Sequence, residues 1–298
     1  MNYPVFDLHC DTALALLGKD MNQPGSLRKN ELHIDLERAS ALPGYCQCFA
    51  CFTTPYMEDW AKISPVVAFE RELATIQREI HENRDRISLA YSPEDIVSNL
   101  ENGMMSAVLT IEGPAGFGFD PELLEDLYLV GFRISSLGWN EKNPLTGSHI
   151  TGGGLTDQGR EYVREAQRLG ILVDVSHISD EGFWDIIQIT EAPVVATHSN
   201  SRSVWNNTRN LTDDMFRPSV RRMVLQATMP VMSLPEKDQQ WIRYVTISFI
   251  FLNWIPAVSI LHLAEIWMVL KKCRRDSTVF RAGRFWLNGC SSAVWMRT

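Results

Sequence analysis

The stretch VFDLHCD, residues 5–11, is an apolar run that leads into two metal-ligand residues, His9 and Asp11. Three more apolar runs reach a ligand residue in the same way: AVLTIEG (107–113) with Glu112, ILVDVSH (171–177) with His177 and PVVATHS (193–199) with His198. The carboxyl ends of parallel strands meet at one rim of a barrel or sheet, so residues distant in sequence converge there. Histidines and carboxylates in this pattern predict a hydrolytic site for two metal ions.

The chain up to about residue 216 alternates short apolar runs with amphipathic stretches, which is typical of βα units around a parallel sheet. The apolar runs predict strands at residues 5–10, 46–53, 88–91, 106–111, 131–137, 171–175 and 194–197. Helical spacing and capping residues predict helices at 61–83, 121–129, 156–169 and 180–190, with another that starts at Thr212. Ligand residues on many different strands favour an α/β barrel of the TIM (β/α)8 type over a doubly wound sheet.

Each ligand residue taken alone has an ordinary structural explanation, since buried polar side chains at strand ends are usually hydrogen-bonded parts of the core. Their joint occurrence favours the metal site. Cys46, Cys48 and Cys51 lie in one strand-like run, YCQCFACF, with no second Cys or His pair at zinc-finger spacing. We therefore expect these cysteines to be small buried strand residues.

Four stretches between about residues 3 and 216 resemble the membrane dipeptidase (renal dipeptidase) family of binuclear zinc peptidases: FDLHCDT, TIEG, VDVSHISD and ATHSNSRSVWNNTRNLTDDM. The resemblance implies a metal-dependent (β/α)8 barrel that hydrolyses dipeptides with two zinc ions. It implies that His9 and Asp11 hold one zinc ion and that His177 and His198 hold the other. Glu112 would bridge both ions at the catalytic centre.

The resemblance also implies residues that contact the substrate. Arg209, eleven residues after His198, matches the arginine that receives the substrate carboxylate, and a planar bidentate donor suits that role. Trp139 and Asn140 stand where many relatives carry a substrate-contacting histidine. The chain therefore departs from the family pattern at the position expected to stabilise the oxyanion.

The composition changes abruptly near residue 216. Residues 1–216 hold 16 Lys and Arg against 32 Asp and Glu, whereas residues 217–298 hold 12 against 4 and also five of the nine tryptophans. Residues 244–263 form an apolar run of about 20 residues, the length of a transmembrane candidate. No Gly-Gly-Asp-x-Asp-Gly turn, which the family carries in this part, is present after residue 216.

A shifted reading frame explains this tail better than a membrane segment does. With suitable synonymous codons, residues 263–272 read from the third base of each codon spell Gly-Gly-Asp-Leu-Asp-Gly-Phe-Glu-Glu, and the single codons of Trp267 and Met268 dictate the second aspartate. We therefore predict a frame break near residues 217–222 and an out-of-frame tail at 217–298. A genuine divergent C-terminal module is the alternative. A barrel without its last two βα units exposes strand edges, so we expect insoluble or weakly active protein.

Two other functions fit parts of the sequence. One is another binuclear barrel amidohydrolase, acting on N-acyl amino acids or cyclic amides, although the first strand carries His-Cys-Asp rather than His-x-His. The other is a membrane-tethered, non-enzymatic binding protein anchored by residues 244–263. The favoured interpretation predicts a small dipeptide substrate, no nucleic-acid partner and no membrane association. It allows a homodimer, and the absence of a signal-peptide pattern at the start predicts a cytoplasmic location.

Overall fold

Strands form where the apolar runs lie, because each run is bounded by polar or glycine-containing turns. The computed structural model describes residues 4–18, 21, 25–216 and 224–226. Eight strands occur in these residues: β1 (Val5–Cys10), β2 (Tyr45–Phe52), β3 (Ile87–Leu89), β4 (Met105–Glu112), β5 (Phe132–Ser136), β6 (Leu172–Asp174), β7 (Val194–Ala196) and β8 (Val224–Gln226). The first seven match the predicted strands to within two residues at each end.

All paired strands are parallel, in the order β1-β2-β4-β5-β6-β7-β8, and β3 pairs with β4. Six of the strands turn through 233° of arc, so they form an open part of a TIM-type barrel. The register brings carboxyl ends level, since Phe52 at the end of β2 lies opposite Glu112 at the end of β4. The predicted α/β barrel class is confirmed.

Helices connect the strands within the described residues: α1 (Thr12–Leu16), α2 (Leu36–Ala39), α3 (Met57–Trp60), α4 (Pro65–Glu82), α5 (Pro93–Glu101), α6 (Leu124–Val130), α7 (Asp157–Leu169) and α8 (Asp180–Ile189). Three short 3₁₀ helices cover Pro114–Phe117, Pro121–Leu123 and Asp213–Phe216. Thr156 and Ser179 cap α7 and α8 through their hydroxyl oxygens, as their sequence positions predict.

Several predicted helix bounds were wrong. The helix expected from residue 61 begins at Pro65, because the Ser64 hydroxyl accepts a hydrogen bond from the Val67 backbone and proline occupies the first turn. The segment expected to be helical from residue 121 divides into a 3₁₀ turn and α6, and the segment after Thr212 is a 3₁₀ helix rather than an α-helix. Helices α1, α2, α3 and α5 were not predicted.

The core lies between the strands and the helices that cover them. Phe49 on β2 and Leu109 on β4 are fully buried, and Phe69 of α4 stacks on Phe132 of β5 with 5.6 Å between ring centroids. The three cysteines of β2, at positions 46, 48 and 51, are free and buried, which agrees with their interpretation as strand residues.

The chain after residue 216 is described only at β8, which pairs in parallel with β7 through Val194 and Val224. The predicted frame break at 217–222 and the apolar run at 244–263 lie outside the described residues. In the part that the structure describes, no helix has the length and apolarity needed to cross a membrane.

Candidate metal centre

The five predicted metal ligands meet at the carboxyl rim of the strands. His9 is the last residue but one of β1, Asp11 precedes α1, Glu112 ends β4, and His177 and His198 follow β6 and β7. Asp11 stands at the N-cap of α1, but its side chain makes no capping hydrogen bond and is half exposed. Its carboxylate is therefore available to a ligand at the rim.

The two carboxylate oxygens of Glu112 face different partners. Oε2 lies 3.3 Å from His9 Nε2, which in turn lies 3.3 Å from Asp11 Oδ1. Oε1 lies 3.1 Å from His177 Nε2 and 3.4 Å from His198 Nε2. The carboxylate thus stands between two groups of ligand atoms, which is the arrangement that a bridging ligand requires.

Hydrogen bonds at Nδ1 fix the ring orientations of His177 and His198. His198 Nδ1 lies 2.7 Å from the Thr197 hydroxyl, which donates to Asp174 Oδ2 at 2.5 Å. His177 Nδ1 lies 2.9 Å from Asn140 Oδ1. Hydrogen bonds of this kind at Nδ1 leave the Nε2 lone pair to bind a metal ion.

The Nε2 atoms of His177 and His198 lie only 2.8 Å apart. If both carry lone pairs, as their Nδ1 partners indicate, a proton or a cation between them is needed to offset the repulsion. This donor set of imidazole nitrogens and a carboxylate is of the kind that holds a metal ion. A tighter set, His9, Glu112 and His198, has ligand atoms all within 4.8 Å of one another. This set joins His9 to His198, which the resemblance assigns to different ions, and the rings of these two histidines stack with 3.7 Å between centroids.

Burial and neighbouring charges determine which of the candidate ligands are charged. Burial lowers the pKa of His9, but the carboxylates of Glu112 and Asp11 outweigh it and raise that pKa to about 9. Burial would raise the pKa of Glu112, but His9 and His177 hold it at about 2. Burial lowers the pKa of His177 and of His198 well below the usual range. Glu112 is therefore ionised, while His177 and His198 are neutral and suited to be ligands.

Two residues at this rim have positive φ angles. His177 has φ +69°, in the left-handed region, which costs a residue with a side chain about 1 kcal/mol or more. Gly113, directly after Glu112, has φ +78°, and a Cβ built on it would lie 2.1 Å from the Thr53 carbonyl oxygen. Only glycine fits this turn, which fixes where the Glu112 carboxylate stands.

Arg209 lies beside the ligands in the loop after β7. Its Nη1 donates to the Ser199 hydroxyl at 2.5 Å, whereas its Nη2 is buried without a hydrogen-bond partner. Burial lowers its pKa to about 10, although Asp174 and Glu112 oppose that shift. A buried guanidinium with a free donor is suited to bind an anionic group.

The loop that carries Arg209 is held by Arg202. The Arg202 guanidinium makes two 2.7 Å hydrogen bonds to the Asp180 carboxylate and donates from Nε to the Asn210 carbonyl oxygen at 3.0 Å. Arg202 therefore fixes the backbone at Asn210, the residue that follows Arg209.

Trp139 and Asn140, which the sequence predicts to contact the substrate, follow β5 and lie next to His177. The rings of Trp139 and His177 are 6.3 Å apart between centroids, and Trp139 meets Phe52 edge-on at 5.3 Å. Two nearby residues were missed by sequence reasoning. Asp174 could have been noticed as a carboxylate inside the apolar run ILVDVSH, whereas His149, in a glycine-rich loop, offers no such signal.

An open parallel α/β barrel with histidines and a carboxylate at its carboxyl rim is the architecture typical of metal-dependent hydrolases of the barrel class. The sequence profile of the membrane dipeptidase family, peptidase family M19, matches residues 1–223. The chain belongs to this family, which confirms the family assignment made from the sequence.

Individual relatives agree with that assignment. A metallopeptidase from Rhodobacter sphaeroides, solved with a phosphinate mimic of the dipeptide L-Ala-D-Ala, superposes with a TM-score of 0.67 at 26% identity, over 80% of this chain and 77% of that one. A protein of the pqqA 5′ region of Klebsiella pneumoniae is 32% identical over 161 residues, 51% of this chain and 59% of that protein. A dipeptidase of Claviceps purpurea is 27% identical over 150 residues, 49% of this chain and 35% of that protein. The chain thus spans only part of the length of these two sequence relatives.

Proposed function

We propose that the chain hydrolyses dipeptides with two zinc ions at the rim of its strands. The observation that carries the proposal is the division of the Glu112 carboxylate between His9 on one side and His177 and His198 on the other. Family membership and the dipeptide mimic held by the Rhodobacter relative support the same activity.

The residues at the rim have separate roles in the proposed reaction. When bound, a pair of zinc ions lowers the pKa of a water molecule and polarises a carbonyl group. His9 and Asp11 would hold one ion and His177 and His198 the other, with Glu112 between them. The hydrogen bonds that His177 Nδ1 donates to Asn140 and His198 Nδ1 donates to Thr197 keep the two imidazole rings in a fixed orientation.

Arg209 would bind the free carboxylate of the dipeptide. Its Nη2 is buried without a partner, so a substrate carboxylate would satisfy a donor that is otherwise left unpaired. Trp139 and Asn140 would line the substrate site on the His177 side. The Asn140 oxygen already accepts from the His177 ring, so its amide nitrogen is the atom that it can offer to a substrate.

The test compares three substrates after metal removal and reloading with zinc: a dipeptide, its C-terminal amide and an N-acetyl amino acid. We expect zinc-dependent cleavage of the dipeptide and far slower cleavage of the amide, which lacks the carboxylate. Arg209→Lys should lower kcat/KM for the dipeptide roughly 10- to 100-fold, because a charged hydrogen bond is worth about 1.5–3 kcal/mol. Arg164→Lys, at an exposed position on α7, is the matched control.

Equal cleavage of dipeptide and amide, with no effect of Arg209→Lys, contradicts the role of Arg209. Preferential cleavage of the N-acetyl amino acid favours the amidohydrolase alternative. Absence of both zinc binding and hydrolysis contradicts the proposed function itself.

We further propose that residues 217–298 are out of frame and that this chain is consequently only weakly active. The family match ends at residue 223, close to the change in charge near residue 216, which supports the proposal. Sequencing the gene across codons 210–225 should reveal one inserted or deleted base relative to the intact reading frame. Restoring the frame should increase the soluble yield and the zinc-dependent rate, whereas an intact frame with full dipeptidase activity rules the proposal out.

A further inference from the structure

His149 lies in the loop between β5 and α7, and this loop is tied to the end of β6. The His149 backbone N–H donates to the His177 carbonyl oxygen at 2.8 Å, and Ser148 and Ile178 form an antiparallel bridge. The half-buried ring of His149 is thereby held 6.1 Å from the ring of His177, measured between centroids.

The His149 ring joins two other loops. Its Nε2 lies 2.9 Å from Asn140 Oδ1, and its Nδ1 lies 3.2 Å from the Thr208 hydroxyl. Thr208 directly precedes Arg209. The ring therefore connects the loop after β5 with the loop that presents the guanidinium.

Asn140 Oδ1 is also the atom that faces His177 Nδ1, at 2.9 Å. A carboxamide oxygen has two lone pairs and donates nothing, so it can accept one N–H from each ring. His149 then donates from Nε2 and accepts from Thr208 at Nδ1. His177 donates from Nδ1, which leaves its Nε2 unprotonated 3.1 Å from Glu112 Oε1, where a cation between the two atoms is needed. One set of proton positions satisfies Asn140, His149, Thr208 and His177 Nδ1, and a bound cation satisfies His177 Nε2.

We propose that His149 is a positioning residue that holds the Asn140 carboxamide in the orientation required by His177. In this role it fixes His177 as an Nε2 ligand, and through Thr208 it ties that ligand to the Arg209 loop. The inference rests on the proposed function for its catalytic consequence, but the contacts of His149 with Asn140 and Thr208 are present without a metal ion. His149 is not itself a ligand, because both ring nitrogens already have hydrogen-bond partners.

The first test reads the tautomer of His149 in the metal-free full chain, refolded if it is recovered in inclusion bodies. Two-bond ¹⁵N–¹H NMR spectra, with the seven histidines assigned by substitution, should show His149 protonated at Nε2, the nitrogen that faces Asn140 Oδ1. In Asn140→Ala this acceptor is lost, and we expect His149 to become a mixture of Nδ1 and Nε2 forms. A wild-type His149 protonated at Nδ1, or an Asn140→Ala spectrum unchanged at His149, overturns the proposal.

The second test measures zinc affinity by competition with a chelator. Loss of a hydrogen bond that orients a ligand typically costs 10- to 100-fold in metal affinity, and we expect this loss for the weaker zinc site of His149→Leu. His149→Gln carries an N–H donor near the position of Nε2 and should recover most of the loss. His33→Leu, at an exposed histidine away from the rim, is the control. Equal affinities for His149→Leu and His33→Leu contradict the proposal.

These outcomes are distinguishable from failure of the proposed function. If the wild-type chain hydrolyses no dipeptide but shows the expected His149 tautomer and the loss of zinc affinity in His149→Leu, the positioning role stands and the activity does not. If hydrolysis and zinc binding are normal but neither responds to His149→Leu, the activity stands and the positioning role does not.

Discussion

Replacement of Glu112 by glutamine removes one charge from the centre and keeps the shape of the side chain. Glu112 is 5% exposed, and its two oxygens lie 3.1–3.4 Å from three histidine nitrogens. Since each oxygen serves a different group of ligands, we expect Glu112→Gln to weaken both metal sites rather than one.

The magnitude follows from the electrostatics of the metal-free site. The pKa of Glu112 falls from its ordinary 4.5 to about 2, which corresponds to a net favourable interaction of about 3 kcal/mol with its surroundings. His9, the principal cationic partner, carries a single charge, whereas a zinc ion carries two. Because the metal-free site already gains about 3 kcal/mol from the single charge of His9, the second charge of zinc sets the difference, and removing the Glu112 charge should cost the zinc site on the order of 3 kcal/mol, or roughly 100-fold in affinity.

The assay is chelator competition combined with zinc content after dialysis, for wild type, Glu112→Gln and the exposed control Glu31→Gln. We expect wild-type zinc loading in the control and loss of both ions in Glu112→Gln at micromolar zinc. Retention of two ions in Glu112→Gln, with affinities within tenfold of wild type, would falsify the bridging role.

Three further outcomes are expected. Gly113→Ala should reduce the free energy of unfolding by more than 2 kcal/mol, because φ at Gly113 is +78° and the new Cβ would meet the Thr53 carbonyl oxygen. Gly118→Ala, with φ +70° and open space around the new Cβ, should reduce it by only about 1 kcal/mol, and equal losses in urea titrations would contradict this. His9 has a pKa of about 9 and is therefore protonated at pH 7. Zinc binding should release one more proton in wild type than in His9→Ala, and the zinc affinity should increase as the pH rises towards 9. Calorimetry in buffers of different ionisation enthalpy measures the proton release, and equal release by the two proteins would refute the prediction. Arg202→Ala frees the Arg209 loop and should raise KM more than it lowers kcat, while Arg168→Ala, which breaks an exposed pair with Glu165, should change neither parameter.

The strands and the convergence of the candidate ligands could be predicted from the sequence because both follow from a local pattern. Each apolar run is short, and a ligand residue stands directly at its end, so the parallel arrangement alone brings His9, Glu112, His177 and His198 to one rim. Helix α5 escaped prediction because it has only nine residues and buries none of them, although Ser92 and Asp95 form a capping box at its start.

The supporting residues could not be predicted in the same way. The place of His149 depends on the path of a loop containing several glycines, and only the folded chain shows that it reaches Asn140 and Thr208. The Arg202–Asp180 pair joins a residue in the loop after β7 to one at the start of α8, a contact that no spacing along the chain encodes. Asp174 differs, since a carboxylate within an apolar strand is costly without partners and can be noticed from the sequence.

The number and positions of the metal ions test the central claim most directly. Diffraction data collected at the zinc absorption edge from the zinc-loaded protein should show two anomalous peaks on opposite sides of Glu112. One peak should lie within about 2.0–2.2 Å of His9 Nε2 and of a Glu112 oxygen, and the other within that distance of His177 Nε2 and His198 Nε2. A single peak, or two peaks of which neither touches Glu112, contradicts a bridged two-zinc centre.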